Sequence, residues 1–177
     1  MNAESNRRLE NMIRLGRIKT VIPSSPFHKV TVNLGDIVTK ELRLLNLRAG
    51  KDSTHDLPSI DEECIVFSPC GVIELGVVVV GLNNEDFPTQ SLDPDIKFRA
   101  FEDGAVISYD VKKHELQAIL PEGGTVKIVG NLEVEGGIHS TLDITSDADV
   151  IAGKISLTKH RTSGVKGGGD TSGGPVP

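Results

Sequence analysis

The sequence predicts an all-β chain: a short N-terminal helix and a small barrel, then a ribbon of strands whose apolar face has no cover in its own chain. Three observations predict it. Between positions 126 and 150 every even-numbered residue is apolar or small and the odd positions carry most of the polarity, the period-two alternation of β-structure with one dry and one wet face. Nineteen glycines, with many Val, Ile, Thr and Leu, point to strands joined by tight turns. Residues 17–82 hold five short apolar runs separated by Gly, Pro and polar clusters.

The totals bound the rest. A length of 177 residues allows one domain or two small ones, and a hydrophobic share of 37% with 3% aromatics and no Trp is lean for one large core. Lys and Arg number 19 against 25 Asp and Glu, a formal charge of −6, which favours solubility and argues against nucleic acid as a partner. Cys64 and Cys70 lie outside any CxxC spacing and have no second pair, so free thiols in a reducing compartment are expected. The first residues are too charged for a signal peptide, and the longest apolar run, 77–80, is too short to span a bilayer. A soluble protein made in a cytoplasm is the expectation.

Residues 1–16 form the first segment, with an amphipathic helix over 5–15. Ser5 is placed to cap it, Leu9, Met12 and Ile13 share one face, and Gly16 is a natural stop. So short a helix needs a docking surface, on its own domain or on a partner chain. Residues 17–82 read as five strands, 17–22, 29–34, 38–47, 63–68 and 75–82, with a polar loop over 48–59 and a turn through Pro69 and Gly71. Five strands with short turns suit a Greek-key barrel of the OB type; a small sandwich is the alternative. Phe27 and Phe67 are the only aromatics there and suit core or loop packing, so the stacking platforms of a nucleic-acid-binding OB barrel are missing.

Residues 83–100, with Pro88, Pro94 and several acids, read as an extended linker. Asp103-Gly104 signals a turn, Val106 and Tyr109 lie on the strand after it, and Leu116, Ala118 and Leu120 match the even parity of the ribbon. The dry face then carries Val126, Ile128, Leu132, Val134, Ile138, Leu142, Ile144 and Val150, and past Gly153 the parity flips to Ile155 and Leu157 through one bulge or turn. Each large aliphatic gains roughly 1.5–3 kcal/mol when buried. Copies wound about a common axis would bury this face and pair its strand edges; the alternative is the last sheet of a sandwich covered by the N-terminal half. The tail, 160–177, is glycine-rich and of low complexity, as in a disordered end.

Four segments, RLENMIRLGRI, PSIDEECIVFSPCGVIELGVVVVGL, DFPTQSLDPDIKFRAFEDGAVISYD and HRTSGVKGGGDTSGGPVP, stand in this order along the chain. With them the sequence resembles the baseplate assembly protein V, or central spike, family of contractile-tailed bacteriophages. The resemblance implies a homotrimer with an N-terminal OB-fold collar and, over 101–159, an intertwined triangular β-helix needle ending in a tip at 160–177. The eight dry-face residues would be its trimer core. The implied partners are the tail hub, the baseplate proteins and, transiently, the host outer membrane, which the spike punctures as the sheath contracts. The implied location is the virion tail baseplate, assembled in the cytoplasm of a bacterial host. The family tip often carries a His-x-His motif that gathers six imidazoles around one iron ion. Here the motif is His160-Arg161-Thr162, so only His160 is available as a metal ligand, three imidazoles per trimer, and a surface role without metal is the alternative for it. His139, on the wet parity, is expected to face solvent.

Two readings stand beside this one: the equivalent spike of a phage-derived bacteriocin or secretion apparatus, and an OB-fold binding module for glycan or nucleic acid. Enzyme activity is not expected. No nucleophile triad or phosphate loop can be assembled, and GGTVKIVGNLEVEGG is turn chemistry with no helix after it.

Overall fold

The computed structural model describes residues 2–159, which fall into two units, Met1–Gly123 and Gly124–Pro177. In the first unit, helix α1 (Ala3–Asn11) begins two residues before the expected start. Its cap is Asn2 rather than Ser5: Asn2 has extended backbone, and its side chain accepts the Ser5 N–H at 2.8 Å. Glu4 in the first turn bonds both Arg7 and Arg8, and this pairing lowers its pKa to about 2. The helix also ends early, because Ile13 opens a strand opposite Phe67 and the Met12 carbonyl accepts from Ser68 N–H at 2.8 Å. Leu9 and Met12, expected to dock, are exposed, while Asn11 is the helix's buried residue.

Strands β1 (Ile13–Ile22), β2 (Lys29–Asn33), β3 (Leu42–Leu44), β4 (Glu63–Phe67) and β5 (Val77–Leu82) close a barrel in the order β1-β2-β3-β5-β4. Its length and a register shift between Ile18 and Thr20 let β1 serve both seams, pairing residues 13–17 with β4 and 17–22 with β2. The β3–β5 pair is parallel and the other ladders are antiparallel. Inward-facing Ile18, Val30, Val32, Leu42, Leu44, Cys64, Val66 and Val78 form the core with Leu34. Gly16 does not end the helix; it lies within β1, where a β-carbon would stand 2.5 Å from Val32 Cγ1. Strand β3 is shorter than expected because Thr39 turns inward, its Oγ1 accepting the Val32 N–H that a strand carbonyl would otherwise take.

Residues 83–95 lack strands, but the expected linker ends in one. Strand β6 (Ile96–Ala100) pairs antiparallel with β7 (Val106–Asp110), which pairs with β8 (Glu115–Ile119). The Asp103-Gly104 turn connects β6 to β7, with Phe101 N–H donating to the Ala105 carbonyl at 2.9 Å. At the next turn the Asp110 carboxylate accepts from Lys112 and Lys113 N–H groups, and these bonds, with the Lys113 ammonium, hold it below the usual carboxylate range.

In the second unit the described residues form one ladder, a hairpin of β9 (Ile151–Ala152) and β10 (Ile155–Ser156) around Gly153 at φ +63°. That turn accounts for the parity flip. Leu157 N–H donates to the Val150 carbonyl at 2.9 Å and Thr158 N–H to Asp149 at 3.2 Å.

Candidate functional site

The ribbon's properties start from its backbone. Among the described residues, no strand is formed between Ile119 and Ile151. Bonds such as Ser140 Oγ to the Leu142 carbonyl and Ala148 N–H to Ser146 Oγ are local, two residues apart. Backbone donors and acceptors in such a segment remain available for pairing. The side chains follow. All eight dry-face residues, Val126, Ile128, Leu132, Val134, Ile138, Leu142, Ile144 and Val150, are exposed, from 45% at Val134 to 84% at Leu142. His139 is exposed as well, as is every residue from 121 to 148. Beside the dry face the odd positions supply Glu133, Glu135, Asp143, Asp147 and Lys127, all exposed. The segment thus combines a period-two sequence, uncovered aliphatics and a backbone without ladders.

The barrel carries a second apolar surface that sequence reasoning missed. Ile13 pairs with Phe67 and Leu15 with Ile65, while Phe67 and Ile65 pair in turn with Val77 and Val79. Directly opposed residues point to the same side of a sheet, so these six form a stripe across three strands on the outer wall. Ile13, Leu15 and Phe67 are exposed. The alternation Ile13-Arg14-Leu15-Gly16 was the available signal, but Leu9, Met12 and Ile13 fit a helical face equally well.

Phe27 packs in a loop, with the Arg43 guanidinium 4.4 Å above its ring. Both cysteines are free, Cys64 buried and Cys70 exposed; burial, with Glu62 and Glu63 nearby, pushes the Cys64 thiol up to about 12. Among the described residues no group of three or more His, Cys, Asp or Glu side chains is arranged to hold a metal ion, and no helix is long and apolar enough to cross a membrane. His160 and Thr162 lie outside the described residues.

No family model matches the sequence. The chain is similar to the Spike protein of Escherichia phage P2, with 28% identity over 169 residues that span 90% of this chain and 79% of that protein. The similarity extends over barrel and ribbon alike, and it agrees with the four ordered segments that suggested a tail spike. That similarity supports the resemblance to a phage baseplate spike family.

Proposed function

We propose that this chain is the central spike of a contractile phage tail, acting as a homotrimer that punctures the outer membrane of its host. The observation that carries the proposal is the uncovered dry face of eight aliphatics per chain, in a relative of a phage spike protein. Three ribbons wound about one axis bury those faces against one another, at roughly 1.5–3 kcal/mol per side chain, and each strand edge finds its partner on a neighbouring chain. The acidic and basic odd positions then face water. The product is a narrow shaft whose stiffness comes from continuous backbone pairing.

The five-stranded barrel is read as an OB-type collar, joining the shaft to the tail hub and baseplate. Sheath contraction supplies the work, the shaft transmits it, and the protein makes or breaks no covalent bond. At the tip each chain offers one imidazole, His160. Three such imidazoles per trimer could hold an iron ion together with water or other ligands, nitrogen donors that first-row metals accept.

The native mass in solution tests the assembly. Sedimentation equilibrium of the full chain is expected to give three times 18.9 kDa; a monomer with a protease-resistant C-terminal third would overturn the proposal.

A further inference from the structure

We propose that His28 and His55 form a proton-released latch that fastens the loop between β3 and β4 to the start of β2. The backbone N–H of Ser24 donates to His28 Nδ1 at 3.2 Å. That nitrogen therefore presents its lone pair, and the ring proton of His28 sits on Nε2. Nε2 lies 3.2 Å from His55 Nδ1, which must in turn accept, leaving the proton of His55 on its own Nε2. The rings meet edge to face, centroids 5.0 Å apart at 66°. One backbone donor thus fixes both tautomers, and the relay from Ser24 through His28 to His55 exists only while both rings are neutral.

The latch joins two anchored parts. The His28 carbonyl accepts from Leu44 N–H at 3.0 Å, fastening this end of β2 to β3. His55 lies in a loop that also packs Leu57 on the core and sends Asp56 to Arg99 of β6 at 2.6 Å. The charged groups around the pair are Arg43, which lines the cleft beside His28, and Asp56, Glu62 and Arg99, which line the cleft beside His55. Imidazoles titrate between about pH 8 and pH 5. A proton on His28 Nδ1 breaks the Ser24 bond but leaves Nε2–H donating to His55; a second proton, on His55 Nδ1, sets donor against donor and cation against cation. Acid therefore unfastens residues 48–58 from β2, leaving the loop held by Leu57 and the Asp56–Arg99 pair.

Hydrogen exchange of the full chain at about pH 7.5 and about pH 5.5, each corrected for intrinsic rate, tests the latch. The amides of Ser24 and of residues 48–58 are expected to exchange about fivefold faster in acid, the effect of one lost hydrogen bond. His55→Ala is expected to exchange fast at both values. His55→Asn, which sets an amide oxygen near the former Nδ1, is expected to keep its protection at the higher one. Nitrogen-15 shifts of the two rings are expected to report both protons on Nε2. An unchanged wild-type loop, an acid step over residues 48–58 that survives in His55→Ala, or a proton on His28 Nδ1 at the higher pH would each overturn the proposal. The native mass plays no part in this readout, so the latch stands or falls separately from the trimer.

Discussion

Gly71 lies against the backbone of Arg8 so closely that a β-carbon on it would stand 2.1 Å from the Arg8 carbonyl oxygen. This contact, rather than an apolar helical face, is how α1 meets the barrel. Gly71 also has φ +70°, so any side chain there faces both left-handed strain and a collision with main chain.

Gly71→Ala is therefore expected to release α1, and Gly35→Ala is the control. Gly35 has φ +94° with nothing within 4 Å of its added carbon, so it bears only the conformational penalty of about 1–2 kcal/mol. Thermal denaturation should place Gly71→Ala below Gly35→Ala, with new protease cleavage in residues 3–12. Equal losses in the two variants would show that the helix does not depend on this contact.

Along the ribbon, neighbours one position apart are expected to behave oppositely. Leu132→Asp or Ile144→Asp puts a carboxylate on the dry face and should abolish trimer formation, since an unpaired charge is costly to bury. Glu133→Lys changes a wet-face residue and should sediment as the wild type does. Indistinguishable sedimentation of Leu132→Asp and Glu133→Lys would contradict the parity assignment.

The two thiols should differ sharply. Cys70 is exposed and Cys64 is buried with its thiol pushed up to about 12. At about pH 8 a thiol reagent is expected to label Cys70 alone in the native protein and both after unfolding, because the thiolate is the nucleophile. The stability contribution has a definite sign. A folded value above the ordinary value of 9.0 means that the unfolded chain loses this proton first, so stability is whole below that value and declines as pH rises toward about 12. Cys64→Ala should flatten the decline between those limits.

Iron analysis of the purified protein addresses the tip. The expected content is one iron per three chains, lost in His160→Ala while the native mass stays unchanged. Wild-type protein without stoichiometric iron would end the tip-metal proposal.

How much of this was legible in the sequence varied with the source of each signal. Strand β2 was readable because inward Val30 and Val32 alternate with Lys29, Thr31 and Asn33, a pattern that burial imposes, while β4 and β5 were readable as short apolar runs bounded by turn residues. Boundaries slipped where side chains replaced backbone partners: Thr39 shortened β3 through its bond to Val32, and Asn2 displaced Ser5 as the helix cap. Strand β6 was missed because it follows Pro94 and reads IKFRA, with charges at alternate positions; its order comes from pairing with β7. The dry face rests on parity alone, since the single chain leaves odd and even positions of the ribbon exposed alike. The outer stripe and the histidine pair depend on residues far apart in the chain, Ile13 with Phe67 and His28 with His55, and no local pattern announces such meetings.

The double duty of β1 has a consequence for synthesis on the ribosome. The strand emerges first, yet its second seam waits for β4, which begins 50 residues after β1 at Glu63, and the parallel β3–β5 pair waits for Val77. At elongation rates of about 5–20 residues per second, the nascent meander of β1, β2 and β3 spends several seconds with both edges open. A chaperone that shields strand edges would find its substrate in that interval, before the ribbon has left the exit tunnel.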